Sequence, residues 1–304
     1  MTANDIDLDE RRRRPPRFLD FPRLVDVLQI GGGSLSDRYS IHDSQGVYLG
    51  SVEPAVATDA NGWHLDLQFA SFSGSGQRLV VDSGVPLPEV FIEEYVQLHS
   101  LDGTLLAAVD LGGITASVDA AASDDAIFVG IGDRLTRYGL DAVAEWEIQF
   151  ESAVTRHAVS PDGSRLAVGL SNGWLVHVAD GRVEQRCDLG STFVSLQFSP
   201  SGVFSVAANV NPTRLTPFDL GELLTTLLPP RHYVHALDAS DEGDVAAGGV
   251  DEAHVAHVLL YAPDGSLRWD CRGPNDVAHV AVHFTDGGRA VFASFRDYYF
   301  YLLL

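Results

Sequence analysis

The sequence predicts an all-β protein assembled from repeated antiparallel sheets of four short strands. Residues 157–190 form the clearest unit, because four runs of β-forming residues are separated there by turns rich in Pro, Asp, Asn and Gly. Two kinds of turn recur along the chain in step with this unit. A single four-stranded meander cannot bury both of its faces, so its copies must pack against one another.

The first recurring turn joins the third and fourth strands of each repeat. Its positions lie mostly about 40 residues apart, at Gly46, Gly103, Ala142, Gly181, Gly221 and Gly265. The second turn joins the first and second strands, and it begins at Ser73, Ser123, Ser160, Ser199, Ser240 and Thr285. Two turns in step, with four strands in a repeat of about 40–50 residues, are typical of a β-propeller.

We therefore predict a single β-propeller domain at residues 18–304, preceded by a short disordered tail at residues 1–17. Seven blades are favoured, because the hairpin at residues 38–52 and a strand at residues 24–30 add a blade to the six later repeats. Six blades is the alternative. Residues 18–21 would supply the fourth strand of the last blade, which closes the ring and removes exposed sheet edges.

Residues 35–304 resemble the repeats of WD40 and PQQ-like propellers. The segments VSPDG at 159–163 and FSPSG at 198–202 look like the first-strand turn of a WD40 repeat. The segment YAPDGSLRWDC at 261–271 looks like the PQQ-like pattern, with Trp269 in the fourth strand and Trp146 at the same place in another repeat. The Trp-Asp dipeptide and the Gly-His pair of WD40 repeats are missing. The resemblance implies a fold and no single activity.

The charge of the chain indicates an acidic protein adapted to salt. Its net charge is −22, it contains no lysine, and its carboxylates are dispersed. A negative chain repels nucleic acids and anionic membranes, so we expect neither as a partner. Dispersed carboxylates favour adaptation to a salt-rich cytoplasm, and the alternative is a surface built for a basic partner. The two cysteines, Cys187 and Cys271, fall in repeats that are not neighbours, which favours reduced thiols and a cytoplasmic location.

The motifs of the sequence favour a non-catalytic scaffold that binds other proteins. We expect no catalytic residue, no cofactor and no metal, since His279 and His283 are only two ligands on one face of a strand. The alternative is an enzyme or sensor with a small-molecule or metal site in the central channel of the propeller. Side chains alternate along strands, so some of its candidate residues must face neighbouring blades. These candidates are Arg156, His157, Gln197, His235, Asp238 and His279.

The predicted docking surface is an insertion at residues 82–95, between the second and third strands of the second blade. Its sequence, DSGVPLPEVFIEEY, is stiffened by two prolines and carries an apolar ridge flanked by glutamates. Apolar groups rimmed by charge mark partner contacts, and the alternative is a ridge that folds back over its own blade. The predicted contact residues of this monomeric scaffold are Val85, Leu87, Val90, Phe91 and Ile92, with Phe91 as the anchor.

Overall fold

The computed structural model consists of antiparallel β-sheets. It describes residues 26–29, 39–42, 48–53, 61, 65–73, 77–86, 91–114, 118–202, 204–210, 213–219, 222–223, 232–275, 280–285, 290–295 and 298–303. This part of the chain forms 26 strands and no helix, which confirms the all-β prediction there. The predicted tail at residues 1–17 and the predicted closing strand at residues 18–21 lie outside the described residues.

The described strands form seven sheets, and in each sheet they pair in sequence order. The first sheet contains β1 (Asp26–Gln29), β2 (Tyr39–His42) and β3 (Tyr48–Val52). The second contains β4 (Asp66–Phe72), β5 (Arg78–Pro86), β6 (Phe91–Ser100) and β7 (Leu105–Ile114). The third contains β8 (Val118–Ala122), β9 (Ala126–Ile131), β10 (Arg134–Gly139) and β11 (Ala144–Gln149).

The remaining sheets follow the same meander pattern. The fourth contains β12 (Val154–Val159), β13 (Arg165–Leu170), β14 (Trp174–Ala179) and β15 (Arg182–Asp188). The fifth contains β16 (Phe193–Phe198), β17 (Phe204–Val210), β18 (Thr213–Asp219) and β19 (Glu222–Leu223). The sixth contains β20 (His232–Ala239), β21 (Val245–Asp251), β22 (Val255–Tyr261) and β23 (Leu267–Asn275). The seventh contains β24 (Val280–Thr285), β25 (Ala290–Phe295) and β26 (Tyr298–Leu303). The strand pairs predicted around both recurring turns are confirmed where the structure describes them.

Six of the recurring turns share one backbone geometry, whereas Asp180 and Gly181 both have a positive φ and form a different turn. In each of the six, an amide donates to the carbonyl three residues earlier, and the donor residue has a positive φ. This combination is a type I turn followed by a left-handed residue, a common hairpin connection. The donor residues include Gly103, Ala142, Gly163, Gly202, Gly243 and Gly265. Ala142 takes this position at φ 58° without being glycine.

A buried serine begins the turn between the first and second strands of five sheets. Its hydroxyl links the two ends of the turn, as at Ser160, where Oγ accepts from the amide of Arg165 at 2.9 Å and donates to Oδ1 of Asp162 at 2.6 Å. The five serines are Ser73, Ser123, Ser160, Ser199 and Ser240, all at most 4% exposed. The serine is therefore part of the turn structure and not a solvated loop residue.

The chain divides into two compact units. One includes Ala167–Val178 and Val183–Leu304, and the other includes Pro22–Leu166 and Ala179–Arg182. Each unit has an apolar core drawn from consecutive sheets. In the first unit, Val258 and Leu260 of β22 pack with residues of β24 and β25. In the second, the core contains Val80, Val96, Leu98, Val109, Ile127 and Val129. Neighbouring sheets within a unit thus bury each other's faces, as the repeat pattern requires.

Candidate functional site

The predicted insertion at residues 82–95 is an extended hairpin and not a loop. Strands β5 and β6 have 9 and 10 residues, whereas the equivalent β9 and β10 have 6 each. Their pairing continues through Val85↔Ile92 to Pro86↔Phe91. Residues 82–86 and 91–95 of the insertion lengthen the two strands, because β-branched and aromatic residues favour strand pairing and a proline is tolerated at the end of a strand.

Strand β7 extends the same hairpin on its other side, so this end of the sheet has three paired strands. Glu93 of β6 pairs with Ile114 at the end of β7. Ile92 is half-buried, and its Cγ2 lies 3.7 Å from the position that a Cβ would occupy at Gly113. We call this three-stranded region, residues 83–86, 91–94 and 111–114, the hairpin extension.

The structure describes three of the five predicted contact residues, and only two of them with their side chains. Val85 is 3% exposed and belongs to the packed interior, as in the alternative in which the ridge covers its own blade. Ile92 is accessible in part. The backbone of Phe91 pairs with Pro86 at the tip of the hairpin extension. Leu87 and Val90 lie outside the described residues.

Of the residues proposed for a central channel, His157 faces a neighbouring sheet. Its side chain is fully buried, and Nδ1 lies 2.7 Å from Oδ2 of Asp119 on β8. The same oxygen accepts a hydrogen bond from the backbone amide of His157 at 2.6 Å. The exposed Arg156 places Nη1 3.7 Å from Oδ1 of Asp119. These contacts join β12 to β8, so Asp119 holds two sheets together.

Asp238 also connects the first strands of two neighbouring sheets. Its Oδ2 accepts from the amide of Phe284 at 2.6 Å, and its Oδ1 accepts from the amide of Ala239 at 2.9 Å. Burial raises the pKa of Asp238 to about 7, although both hydrogen bonds oppose the rise. Gln197 is half-buried. The side chain of His235, and all of His279, lie outside what the structure describes.

His257 lies between two carboxylates in the sixth sheet. Its Nδ1 is 2.6 Å from Oδ1 of Asp270 on β23, and its Nε2 is 3.4 Å from Oδ2 of Asp251 at the end of β21. Burial lowers the pKa of His257, but the hydrogen bonds and charges of the two carboxylates outweigh it, so the pKa is raised. Over the described residues, no group of three or more His, Cys, Asp or Glu side chains is arranged to hold a metal ion.

The second compact unit contains a cleft that sequence reasoning did not identify. It has a volume of about 200 Å³. Strands β10 and β11 form one wall through Arg137 and Trp146, which are register partners. The other lining residues are Asp125, Asp162, Gly163, Ser164, Leu166 and Asp180. Most of these lie in turns of two consecutive sheets, so only their packing brings them together.

Arg137 is held in the wall of the cleft by charge and by aromatic contact. Its guanidinium pairs with Glu145, and Nη2 lies 3.3 Å from Oδ2 of Asp125. The guanidinium carbon lies 5.8 Å from the centroid of the Phe128 ring, a cation–π distance. Phe128 in turn contacts Trp146, with ring centroids 6.0 Å apart. The wall is thus built from aromatic groups and a paired cation.

No protein-family model matches this sequence, and no curated protein is significantly similar to it. The resemblance to WD40 and PQQ-like repeats therefore stays a prediction from the sequence. In the part of the chain that the structure describes, no helix is long and apolar enough to cross a lipid bilayer. Cys187 is half-buried and Cys271 is buried, and the two do not form a disulfide.

Proposed function

We propose that this chain is a seven-bladed β-propeller that acts as a non-catalytic scaffold for binding other proteins. Support for the fold comes from the seven described sheets, which follow one another along the chain as meanders of three or four strands. A ring of this kind would leave only short, protected sheet edges. The negative charge and the absence of lysine support a cytoplasmic protein of a salt-adapted cell.

The hairpin extension is the observation that carries the proposed function. Loops and edges on a rigid sheet are common places for recognition residues. Here the extra residues are paired across three strands, so little conformational entropy is lost when a partner binds them. The partly accessible Ile92 and Glu94 both approach Gly113 on one face of the sheet, which places an apolar group beside a charged one. Phe91 at the tip has the residue type that most often dominates interface energies.

The experiment compares two double variants in partner recovery from the native host. We expect Leu87→Ser with Phe91→Ser to abolish recovery while the melting temperature stays close to that of the wild type. The matched control is Leu105→Ser with Leu267→Ser, which removes two apolar side chains that are 43% and 42% exposed at the starts of β7 and β23. Partners should be identified by mass spectrometry after affinity purification.

Three other results would contradict the proposal. Loss of stability in the Leu87 and Phe91 variant would place the ridge in the core of its own sheet. Full recovery of the partner by that variant would show that the docking site lies outside the hairpin extension. A purified protein that recovers no partner but holds a stoichiometric metal would favour the enzyme or sensor alternative.

A further inference from the structure

The cleft described above combines features that select a cationic side chain. Its lining includes three carboxylates, from Asp125, Asp162 and Asp180, against the single guanidinium of Arg137. Its volume of about 200 Å³ is below the roughly 300–1,000 Å³ of pockets that hold drug-sized ligands. The cleft therefore has room for one long side chain. Its net charge is negative, and the part of the Trp146 indole that Gly181 does not cover adds an aromatic surface for a guanidinium.

The carboxylate of Asp162 stays ionised under ordinary conditions. Its pKa is lowered first by the hydrogen bond from the Ser160 hydroxyl and then by the amide of Ser164, effects that its partial burial opposes. These contacts hold Oδ1 in place at 2.6 Å from Ser160 Oγ and 3.1 Å from Ser164 N. The negative charge in the cleft is thus fixed in position before a ligand arrives.

An apolar surface adjoins the cleft on the same hairpin. Leu140 and Val143 lie in the β10–β11 turn. The paired cleft residues are close to it, with Arg137 on the strand before the turn and Trp146 on the strand after it. At about 3.3 Å per residue along a strand, these apolar side chains lie on the order of 10 Å from the cleft. They are 46% and 58% exposed. A bound segment would therefore meet a cation site and an apolar site within the length of a few residues.

We propose that the cleft binds an arginine side chain in an exposed segment of a partner protein, and that Leu140 and Val143 contact apolar residues beside that arginine. Arginine fits better than lysine, because its planar group both stacks on an aromatic ring and pairs with two carboxylate oxygens. The surface is complementary in charge to such a segment, whereas the chain as a whole repels acidic ligands.

This surface is distinct from the hairpin extension and does not depend on it. A hydrogen bond of 3.3 Å from Ser73 Oγ to Asp124 Oδ1 joins the β4–β5 turn to the β8–β9 turn. Those turns lie at one end of their sheets, and in a meander the β5–β6 connection lies at the other end. The hairpin extension and the cleft therefore occupy opposite ends of the second compact unit, so each can be tested while the other is intact.

The test uses the full chain and a fluorescent, capped pentapeptide, Gly-Leu-Arg-Leu-Gly, at low and constant ionic strength. The control peptide has citrulline in place of arginine, which keeps the shape and removes the charge. The protein variant is Asp180→Asn, since asparagine tolerates the φ of 48° at this position. The matched control is Asp264→Asn, which removes one negative charge beside the equivalent turn glycine in the sixth sheet.

We expect the arginine peptide to bind and the citrulline peptide to bind at least about tenfold more weakly. We expect Asp180→Asn to weaken binding about fivefold, with the melting temperature unchanged, and Asp264→Asn to leave binding within about twofold. Three results would overturn the proposal. They are no binding of the arginine peptide, equal binding of both peptides, and equal losses in the two variants, which would indicate only diffuse attraction to an acidic protein. Displacement of the peptide by magnesium chloride at constant ionic strength would also overturn it, in favour of a divalent-cation site.

Discussion

Replacement of Gly163 by alanine tests whether consecutive sheets pack through their turns. Gly163 has a φ of +73°, and a Cβ added to it would lie 2.8 Å from Cβ of Ser123 and 2.9 Å from its Oγ. Ser123 is 1% exposed, and its hydroxyl donates to Asp125 at 2.7 Å, so it cannot move aside without losing that hydrogen bond. The substitution therefore adds a collision between neighbouring sheets to the strain of the backbone.

The size of the effect follows from two separable costs. A non-glycine residue in the left-handed region costs about 1–2 kcal/mol, and overpacking of a filled site costs about 1–3 kcal/mol more. We expect Gly163→Ala to lower the free energy of unfolding by about 2–5 kcal/mol. The matched control is Gly190→Ala, because Gly190 has a φ of +72° and no atom within 4 Å of the added Cβ.

The free energies should be measured by urea unfolding, monitored by tryptophan fluorescence and circular dichroism. Coincident transitions would justify a two-state analysis of both variants. The control should lose only the backbone cost, about 1–2 kcal/mol. Equal destabilisation by the two substitutions would refute the packing of the Gly163 turn against Ser123, and with it the cleft that these turns form.

Three further predictions concern single contacts and the overall charge. Ser160→Ala should cost about 1–2 kcal/mol, because the amide of the second strand loses its buried acceptor, whereas Ser164→Ala at an exposed position should cost less than about 0.5 kcal/mol, both measured by urea unfolding. His257→Gln should destabilise the protein more at about pH 5.5 than at about pH 8.5. Because its pKa is raised in the folded state, protonated His257 stabilises the fold fully below the unfolded pKa of about 6.5, and this contribution is lost as pH rises through the folded pKa. The exposed His254→Asn is its control, and a difference that does not change with pH would contradict the role of Asp270. Finally, the melting temperature should rise steadily with potassium chloride up to about 2 M, because salt screens the repulsion within a chain of net charge −22. It should rise less in sucrose of equal osmolality, which does not screen charge. A melting temperature indifferent to salt would favour an acidic surface made for a basic partner.

The strand order was predictable because the turns require particular residue types at particular positions. A left-handed residue is required after each type I turn, so Gly103, Gly163 and Gly265 report turn positions directly in the sequence. Ala142 occupies the same position, and only its place in the period identifies it. The hairpin extension was harder to predict. Pro86 and the proline at 88 suggest an irregular loop, yet strand pairing tolerates Pro86 at the end of β5.

The cleft could not be predicted, because it depends on which two sheets pack together and on which of their turns come into contact. Trp146 lies in β11 of the third sheet, and Asp180 lies in the β14–β15 turn of the fourth sheet. Each belongs to a sequence pattern that recurs along the chain. They come together since Gly181 packs against the indole of Trp146, with an added Cβ only 3.1 Å from Cγ of that ring. A repeat period identifies the unit of the fold, but the contacts between units depend on side-chain volumes at their turns.

The acidic composition has a local cause as well as a global one. Aspartates recur in turns, where Oδ1 accepts a hydrogen bond from the amide two residues later, an arrangement that glutamate is too long to form. Asp264 is an example, with Ser266 N at 2.9 Å. The other aspartates with this contact include Asp102, Asp110, Asp141, Asp162, Asp188 and Asp251. This local geometry thus accounts for several of the aspartates, and it favours aspartate over glutamate in a way that net charge alone does not.

The two causes can be separated at a single position. Asp264→Asn keeps the acceptor and removes the charge, whereas Asp264→Glu keeps the charge and displaces the acceptor. If turn geometry decides, the glutamate variant should have the lower melting temperature at every salt concentration, and the asparagine variant should match the wild type. The wild type should also lose stability in acid, because the hydrogen bonds from Ser266 lower the pKa of Asp264, and that contribution disappears as pH falls through the lowered folded pKa. If instead the asparagine variant gains stability at low salt and the glutamate variant is neutral, the aspartates serve the charge of the surface, and their concentration in turns has no structural cause.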